Sequence, residues 1–571
     1  MAVKHSGSPD HVRELCRQLK PILGEKMEQV FQAYLAEDET GKTQLEAYLE
    51  MLQAKYMPVR LDSVATQLVP PNPAQAYGEY ELGTVLYGGK GRGTFGLREN
   101  EWIQHVGIFG RTGAGKTNLG FKIVEELVKH GKPCLVLDWK RNYRDLLTNP
   151  LFKDAKVYTI GRSIAPFTFN PLIPPPGTNP KTWLKKLDEV IAHSYMLGNG
   201  VLYLLQQTLD QLYEEFGVYD GTIQRWPTFQ DVLDKARKLD VRGREAGWLS
   251  SALRALASLC FGDMGDLVNH PSANSPEELL DQTVVLELDA LAQSDKVFVA
   301  SALLLWIHHR RMVEPTREQF KHAIIIEEAH HLLSDERKSL VGGQSVMEIT
   351  FRELREFGES LTLLDQHPSQ ISLPALGNTV ATISLNLKTS KDVSAMAQCM
   401  LLDGPEKDIL GSLEVGQAVV KLQGRVQGPF LIQIPQFNIQ KGSVTDEMIQ
   451  ERMLVHSSSD LSRVSRDVNG AETPSPAGPS APVKGKRDVD DLVLAFLNDV
   501  AAHPESGIAE RYKRLGISVR QGQKLKFRLL EAGMIEDHEE LTHTGRIRKM
   551  RLTTKGQHFV ATSRSNHPAP Q

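Results

Sequence analysis

The stretch Gly110-Arg111-Thr112-Gly113-Ala114-Gly115-Lys116-Thr117 constrains the fold of this chain more than any other. An apolar run, Val106-Gly107-Ile108-Phe109, precedes it, and a segment of helical character beginning at Asn118 follows it. The pattern G-x-x-x-x-G-K-[ST] between a strand and a helix is a phosphate-cradling loop. Its glycines let successive backbone N–H groups turn inward onto a polyphosphate, and the helix N-terminus adds partial positive charge. In that setting Lys116 reaches the β- and γ-phosphates and the Thr117 hydroxyl holds Mg²⁺. The expectation is a binding site for ATP and Mg²⁺ formed by residues 110 to 118, within an α/β fold.

Later apolar runs supply the rest of a parallel sheet. Cys134-Leu135-Val136-Leu137-Asp138 is continuous, as a strand buried on both faces requires, and it follows a helix. Ala323-Ile324-Ile325-Ile326 ends in Glu327-Glu328-Ala329-His330. Two adjacent carboxylates at a strand's carboxyl end lie where α/β folds bind ligands. Strand alternation points Glu327 and Glu328 to opposite sides, so that one can organise Mg²⁺ through water while the other faces an attacking water as base. Leu361-Thr362-Leu363-Leu364-Asp365 ends beside Gln366, whose amide is placed to sense a γ-phosphate. Thr379 to Leu387 and Ala418 to Leu422 read as the last strands.

At 571 residues the chain exceeds a single core, and its 41% hydrophobic and 24% charged content is ordinary for a soluble protein. A net charge of −4 excludes a global field for nucleic acid, so any such site must be local. Cys16, Cys134, Cys260 and Cys399 are scattered, without zinc-ligand spacing, which fits a reducing compartment. No apolar run approaches the roughly 20 residues of a membrane span. A cytoplasmic protein is expected.

The domain reading runs as follows. Residues 1–70 form an N-terminal helical segment of two helices, and 75–105 a small β unit. Residues 106–440 form the core, with a helical insertion at about 180–280. A Ser/Pro/Gly-rich linker spans 441–487. Residues 488–571 read as three helices and a hairpin whose tip is Thr544-Gly545-Arg546, the order of a winged-helix domain. Arg520, Lys524 and Arg528 recur at helical spacing there, and Arg546 and Arg548 fall in the hairpin. Such clustering is the footprint of DNA-backbone contact. Arg337 and Lys338, in a polar loop, are further candidates.

The ordered set of motifs, with Phe169-Asn170-Pro171-Leu172, Arg352-Glu353-Leu354-Arg355 and Gln366-His367-Pro368-Ser369, resembles the HerA branch of the HerA/FtsK superfamily over about residues 80 to 440. The resemblance implies a RecA-like core, a homo-hexameric ring with ATP between neighbours, and double-stranded DNA in the pore. It assigns Glu327 to support the metal, Glu328 as catalytic base, Gln366 as sensor and Arg355 or Arg352 to the γ-phosphate. Departures occur at His367, where the family usually has Arg, and at Gln104, where it often has Arg; Arg141 is a candidate substitute. The helical start in place of a β-barrel is similar to HerA-type ATPases of bacterial anti-phage systems. Those pair with an effector such as a nuclease or a sirtuin-like NAD hydrolase.

Overall fold

The computed structural model describes residues 8–57, 68–271, 276–334, 346–453 and, in the C-terminal part, 489–503, 506, 508–515, 522, 525–526, 529–530, 534–542, 545–555 and 557. The chain divides into two compact units, Met1–Asn469 and Gly470–Gln571. Among the described residues no helix is long and apolar enough to cross a membrane.

Strands of the first unit form at Tyr80–Tyr87 (β1), Lys90–Leu97 (β2), Val106–Phe109 (β3), Cys134–Asp138 (β4), Lys156–Thr159 (β5) and Val284–Glu287 (β6). They continue at His322–Glu327 (β7), Glu359–Asp365 (β8), Ala381–Ser384 (β9), Gln417–Leu422 (β10) and Phe430–Gln433 (β11). All join one 11-stranded sheet ordered β2-β1-β11-β10-β9-β3-β8-β7-β4-β6-β5. From β9 to β5 the pairing is parallel, and from β9 outward to β2 it is antiparallel. Every residue of β3, β4, β6, β7 and β8 is buried, because helices cover both faces of the parallel block. Residues 75–105 are therefore not a separate β unit. Their β1–β2 hairpin lengthens the main sheet through β11.

Two further boundaries differ from the sequence reading. Among the described residues the N-terminal segment contains three helices, Pro9–Leu23, Lys26–Ala36 and Glu39–Tyr56. Gly24, at φ 76°, ends the first where the apolar periodicity runs on unbroken. These helices enclose their own core, and the Tyr87 hydroxyl donates to the Gln18 carbonyl at 2.7 Å, fastening them to β1. The expected linker also begins too early. Val444 and Ile449 are buried in the main core, and Asp145 accepts from the N–H groups of Gly442 and Val444. The remaining linker positions, 454–487, lie outside the described residues.

Between β5 and β6, helices at Pro180–Ser194, Asn199–Glu215, Phe229–Ala236, Arg244–Leu259 and Gly262–Val268 share the largest apolar core with one sheet face. In the second unit, helices Val489–Ala502 and Ile508–Leu515 precede strands Ile535–Thr542 (β12) and Gly545–Leu552 (β13). Pairing of Thr542 with Gly545 starts the return strand at Gly545, earlier than the hairpin tip read from Thr544-Gly545-Arg546. Phe496, Leu497, Tyr512, Leu525, Leu529, Ile535 and Met550 pack as its core.

His105 joins the helical layer to the sheet. Its Nε2 lies 2.8 Å from the Phe351 carbonyl and its Nδ1 accepts from Leu361 N–H at 3.1 Å. Burial, reinforced by the neighbouring Arg355 charge, pushes its pKa down to about 4. The unfolded chain, near 6.5, takes up the proton first, so stability is full above about pH 6.5 and declines toward pH 4. The loss attributable to His105 is about 3 kcal/mol at the acid end. Thermal melts between pH 7 and 4.5 should show a shallower pH slope for His105→Gln than for the parent.

Candidate nucleotide site

The parallel register brings the carboxyl ends of β3, β4, β7 and β8 to one edge: Phe109 pairs with Asp365, Ile326 with Leu363, and Leu137 with Ile326. The loop from Gly110 leaves β3 there and enters the helix Lys116–Lys129. Gly115 caps that helix at φ 115°, a conformation that only glycine adopts without strain. The helix can lie close against the following segment because a side chain at Gly120 would meet the Tyr143 hydroxyl at 2.2 Å.

The loop is braced at both ends. Gly110 N–H donates to the Asp365 carbonyl at 3.1 Å, and Arg111 N–H to the Asn386 carbonyl at 2.7 Å. Arg111 turns its guanidinium away, onto Asn386 Oδ1 at 2.8 Å. Asn118 uses its amide to hold the segment after β11, donating to the Pro435 carbonyl and accepting from Phe437 N–H. Lys116 Nζ folds back onto the carbonyls of Gly110 (2.6 Å) and Arg111 (3.2 Å). Burial lowers its pKa against the opposing pull of Glu328. Among the described residues, the N–H groups of Thr112, Gly113 and Gly115 donate to no backbone carbonyl, leaving them available to a phosphate.

Glu327 and Glu328 diverge, but not by strand alternation. Glu327 is the last residue of β7, whereas Glu328 sits at φ 50° in the left-handed region, so the chain turns between them. Asp365 fixes this turn, accepting from His330 N–H at 2.7 Å and pairing with His330 Nδ1 at 2.8 Å. Burial opposes ionisation of both partners, but the pairing lowers the Asp365 pKa and raises that of His330.

A side-chain chain then links loop to carboxylate. Thr112 Oγ1 donates to Gln366 Oε1 at 2.5 Å, and Gln366 Nε2 donates to Glu328 Oε1 at 2.5 Å. Lys140, just past β4, forms an ion pair with the same Glu328 oxygen. Glu327 is buried, with Asn142 Nδ2 3.4 Å away. Burial, and then the charge of Asp138, raise its pKa. A buried carboxylate whose pKa burial raises, with Asp138 close enough to raise it further, is oxygen-donor chemistry that suits Mg²⁺.

Arg352 and Arg355 do not join this cluster. They are exposed and precede β8, and Arg355 acts electrostatically on His105, just before β3. The seven residues of β8 separate them from Gln366 by about 20 Å. Arg141 pairs instead with Asp446 at 3.1 Å. Arg337, Lys338, Arg520, Lys524 and Arg528 lie outside the described residues. Arg546 and Arg548 fall on β13, opposite Leu541 and Glu539. Sequence reasoning passed over Lys140, Asn142 and Asp365. Each is a polar residue at or just past a parallel strand's carboxyl end, which was the available signal.

Fold and site together define a P-loop ATPase with a RecA-like core. The family described as "Helicase HerA, central domain" matches residues 80–399, and the chain belongs to this family of HerA/FtsK-type ATPases, relatives of DNA translocases. Among solved structures it is similar to VirB4 of Thermoanaerobacter pseudethanolicus, at 16% identity and TM-score 0.48, spanning 62% of this chain and 96% of that one. The plasmid coupling protein TrwB in complex with ADP and Mg²⁺ matches at 12% identity and TM-score 0.47, over 61% and 89%. No curated protein matches.

Replacing Lys116 with Ala should weaken ATP binding at least tenfold while leaving the unliganded melting temperature nearly unchanged. Fluorescent-nucleotide titration and thermal melts of both forms check this.

Proposed function

We propose that this chain is an ATP hydrolase that assembles as a homo-hexamer and translocates double-stranded DNA. The observation that supports it most is the continuous contact from Thr112 through Gln366 to Glu328, joining the phosphate loop to the candidate base. Loop N–H groups and Lys116 bind the phosphates. Glu328 accepts a proton from water as its oxygen bonds to the γ-phosphorus and the bond to the β–γ bridging oxygen breaks. Gln366 orients that water. Thr117 and Glu327 would hold Mg²⁺, which would supply charge neutralisation at the phosphate oxygens. Arg355, or Arg352, exposed at the opposite sheet edge, serves the nucleotide of a neighbouring subunit.

DNA contact is assigned to Arg337 and Lys338 in the core. In the winged-helix unit it is assigned to Arg520, Lys524, Arg528, Arg546 and Arg548. By analogy with the bacterial branch, the motor powers an effector, a nuclease or a sirtuin-like NAD hydrolase, in anti-phage defence.

A second reading is a ring that assembles and gates such an effector without processive movement. The exposed apolar side chains Leu35, Tyr48 and Met51 on the N-terminal helices favour it, as contacts available to a docking partner.

ATP hydrolysis with and without duplex DNA, beside Glu328→Gln, tests the proposal. Stimulation of at least tenfold by DNA, abolished in the variant, is the expected result. Hydrolysis indifferent to DNA but raised by a co-purifying protein selects the second reading. Full activity of Glu328→Gln overturns the assignment of the base.

A further inference from the structure

Lys140 was not among the residues that motif or resemblance singled out, yet it occupies the centre of the site. It follows β4 two residues after Asp138, whose Oδ1 accepts the Lys140 N–H at 3.0 Å and so fixes where the side chain starts. Its ammonium pairs with Glu328 Oε1, the same oxygen that Gln366 Nε2 holds. It also lies close enough to Lys116 for the two positive charges to oppose each other. The Lys140 side chain is 51% exposed, whereas Glu328 is 12% exposed, so the lysine rather than the carboxylate faces an incoming ligand.

Two ammonium groups beside loop N–H groups, with one carboxylate between them, form an arrangement that a polyphosphate would rearrange. A γ-phosphate brings more negative charge than Glu328 and two or three oxygens for a lysine to meet. While Lys140 and Gln366 both engage Oε1, these contacts, and not an attacking water, set the orientation of the Glu328 carboxylate.

We propose that Lys140 is a γ-phosphate-responsive latch, a positioning residue that pins Glu328 without nucleotide and transfers to the γ-phosphate when a triphosphate binds. The transfer releases Glu328 from Lys140, and so lets the carboxylate turn toward water, only when there is a γ-phosphate to hydrolyse. A diphosphate, lacking that group, leaves the latch closed. This rests on the ATPase reading, and it assigns to Lys140 the discrimination between ATP and ADP.

The test is a double-mutant cycle on the full-length protein, with fluorescent ATP and ADP analogues as probes and Mg²⁺ present. Glu328→Gln removes the charge that competes for Lys140. It should tighten triphosphate binding about twofold to fivefold, the upper range of a partly exposed ion pair, and leave diphosphate binding unchanged. In Lys140→Met the affinity for triphosphate should fall toward that for diphosphate, with kcat lowered more than KM is raised. Lys140→Arg should recover part of both. Adding Glu328→Gln to Lys140→Met should produce no tightening.

Unchanged diphosphate affinity in every variant shows that the fold is intact. Tightening by Glu328→Gln that persists in the double variant would overturn the latch, as would equal losses of triphosphate and diphosphate affinity in Lys140→Met. Hydrolysis retained by Glu328→Gln would instead overturn the base assignment, so the two failures are distinguishable.

Discussion

The phosphate loop, Lys140, Glu327, Glu328 and Gln366 follow the carboxyl ends of four parallel strands, and that edge depends on burial. Strands β3, β4, β7 and β8 are buried along their length. Each Ile, Leu or Val in them contributes about 1.5–3 kcal/mol when removed from water. Because helices cover both faces, a slip of one residue would exchange the side chains packed against the two layers and spoil the close fit of each. The register is therefore strongly specified, and with it the adjacency of the phosphate loop, Lys140, Glu328 and Gln366.

The edge accepts local cost. Glu328 in the left-handed region is unfavourable by about 1–2 kcal/mol for a residue with a side chain. The His330–Asp365 pair and the contacts of Glu328 with Lys140 and Gln366 offset that cost. The turn lifts one carboxylate out of the strand toward the loop while its neighbour Glu327 stays buried beside Asp138. Two adjacent acids thereby occupy different electrostatic surroundings, which different roles require.

Much of this was legible in the sequence, for identifiable reasons. The glycine pattern of residues 110–117 and the apolar runs ending in Asp138, Glu328 and Asp365 each carry a local signature that parallel-sheet physics converts into position. The divergence of Glu327 and Glu328 was anticipated, but its cause was not, because φ at Glu328 is set by Asp365 some 35 residues away. Lys140 escaped notice because a lysine after a strand reads as a solvated end until its partner across the edge is known. The third N-terminal helix was hidden by a periodicity that crosses Gly24. The merging of β1 and β2 into the main sheet depends on pairing with β11, more than 300 residues distant, which no local pattern encodes.

The placement of Arg355 about 20 Å from its own chain's phosphate loop makes a site shared between neighbours the central claim of the account. Co-expression of Arg355→Ala and Glu328→Gln chains tests it most directly, by assaying hydrolysis in the purified mixed assembly. Each variant alone should be inactive. In the mixture, random assembly joins an intact Glu328 with an intact neighbouring Arg355 at about a quarter of the interfaces, so activity should reappear. No recovery at any mixing ratio, or full activity of Arg355→Ala alone, would contradict a shared site.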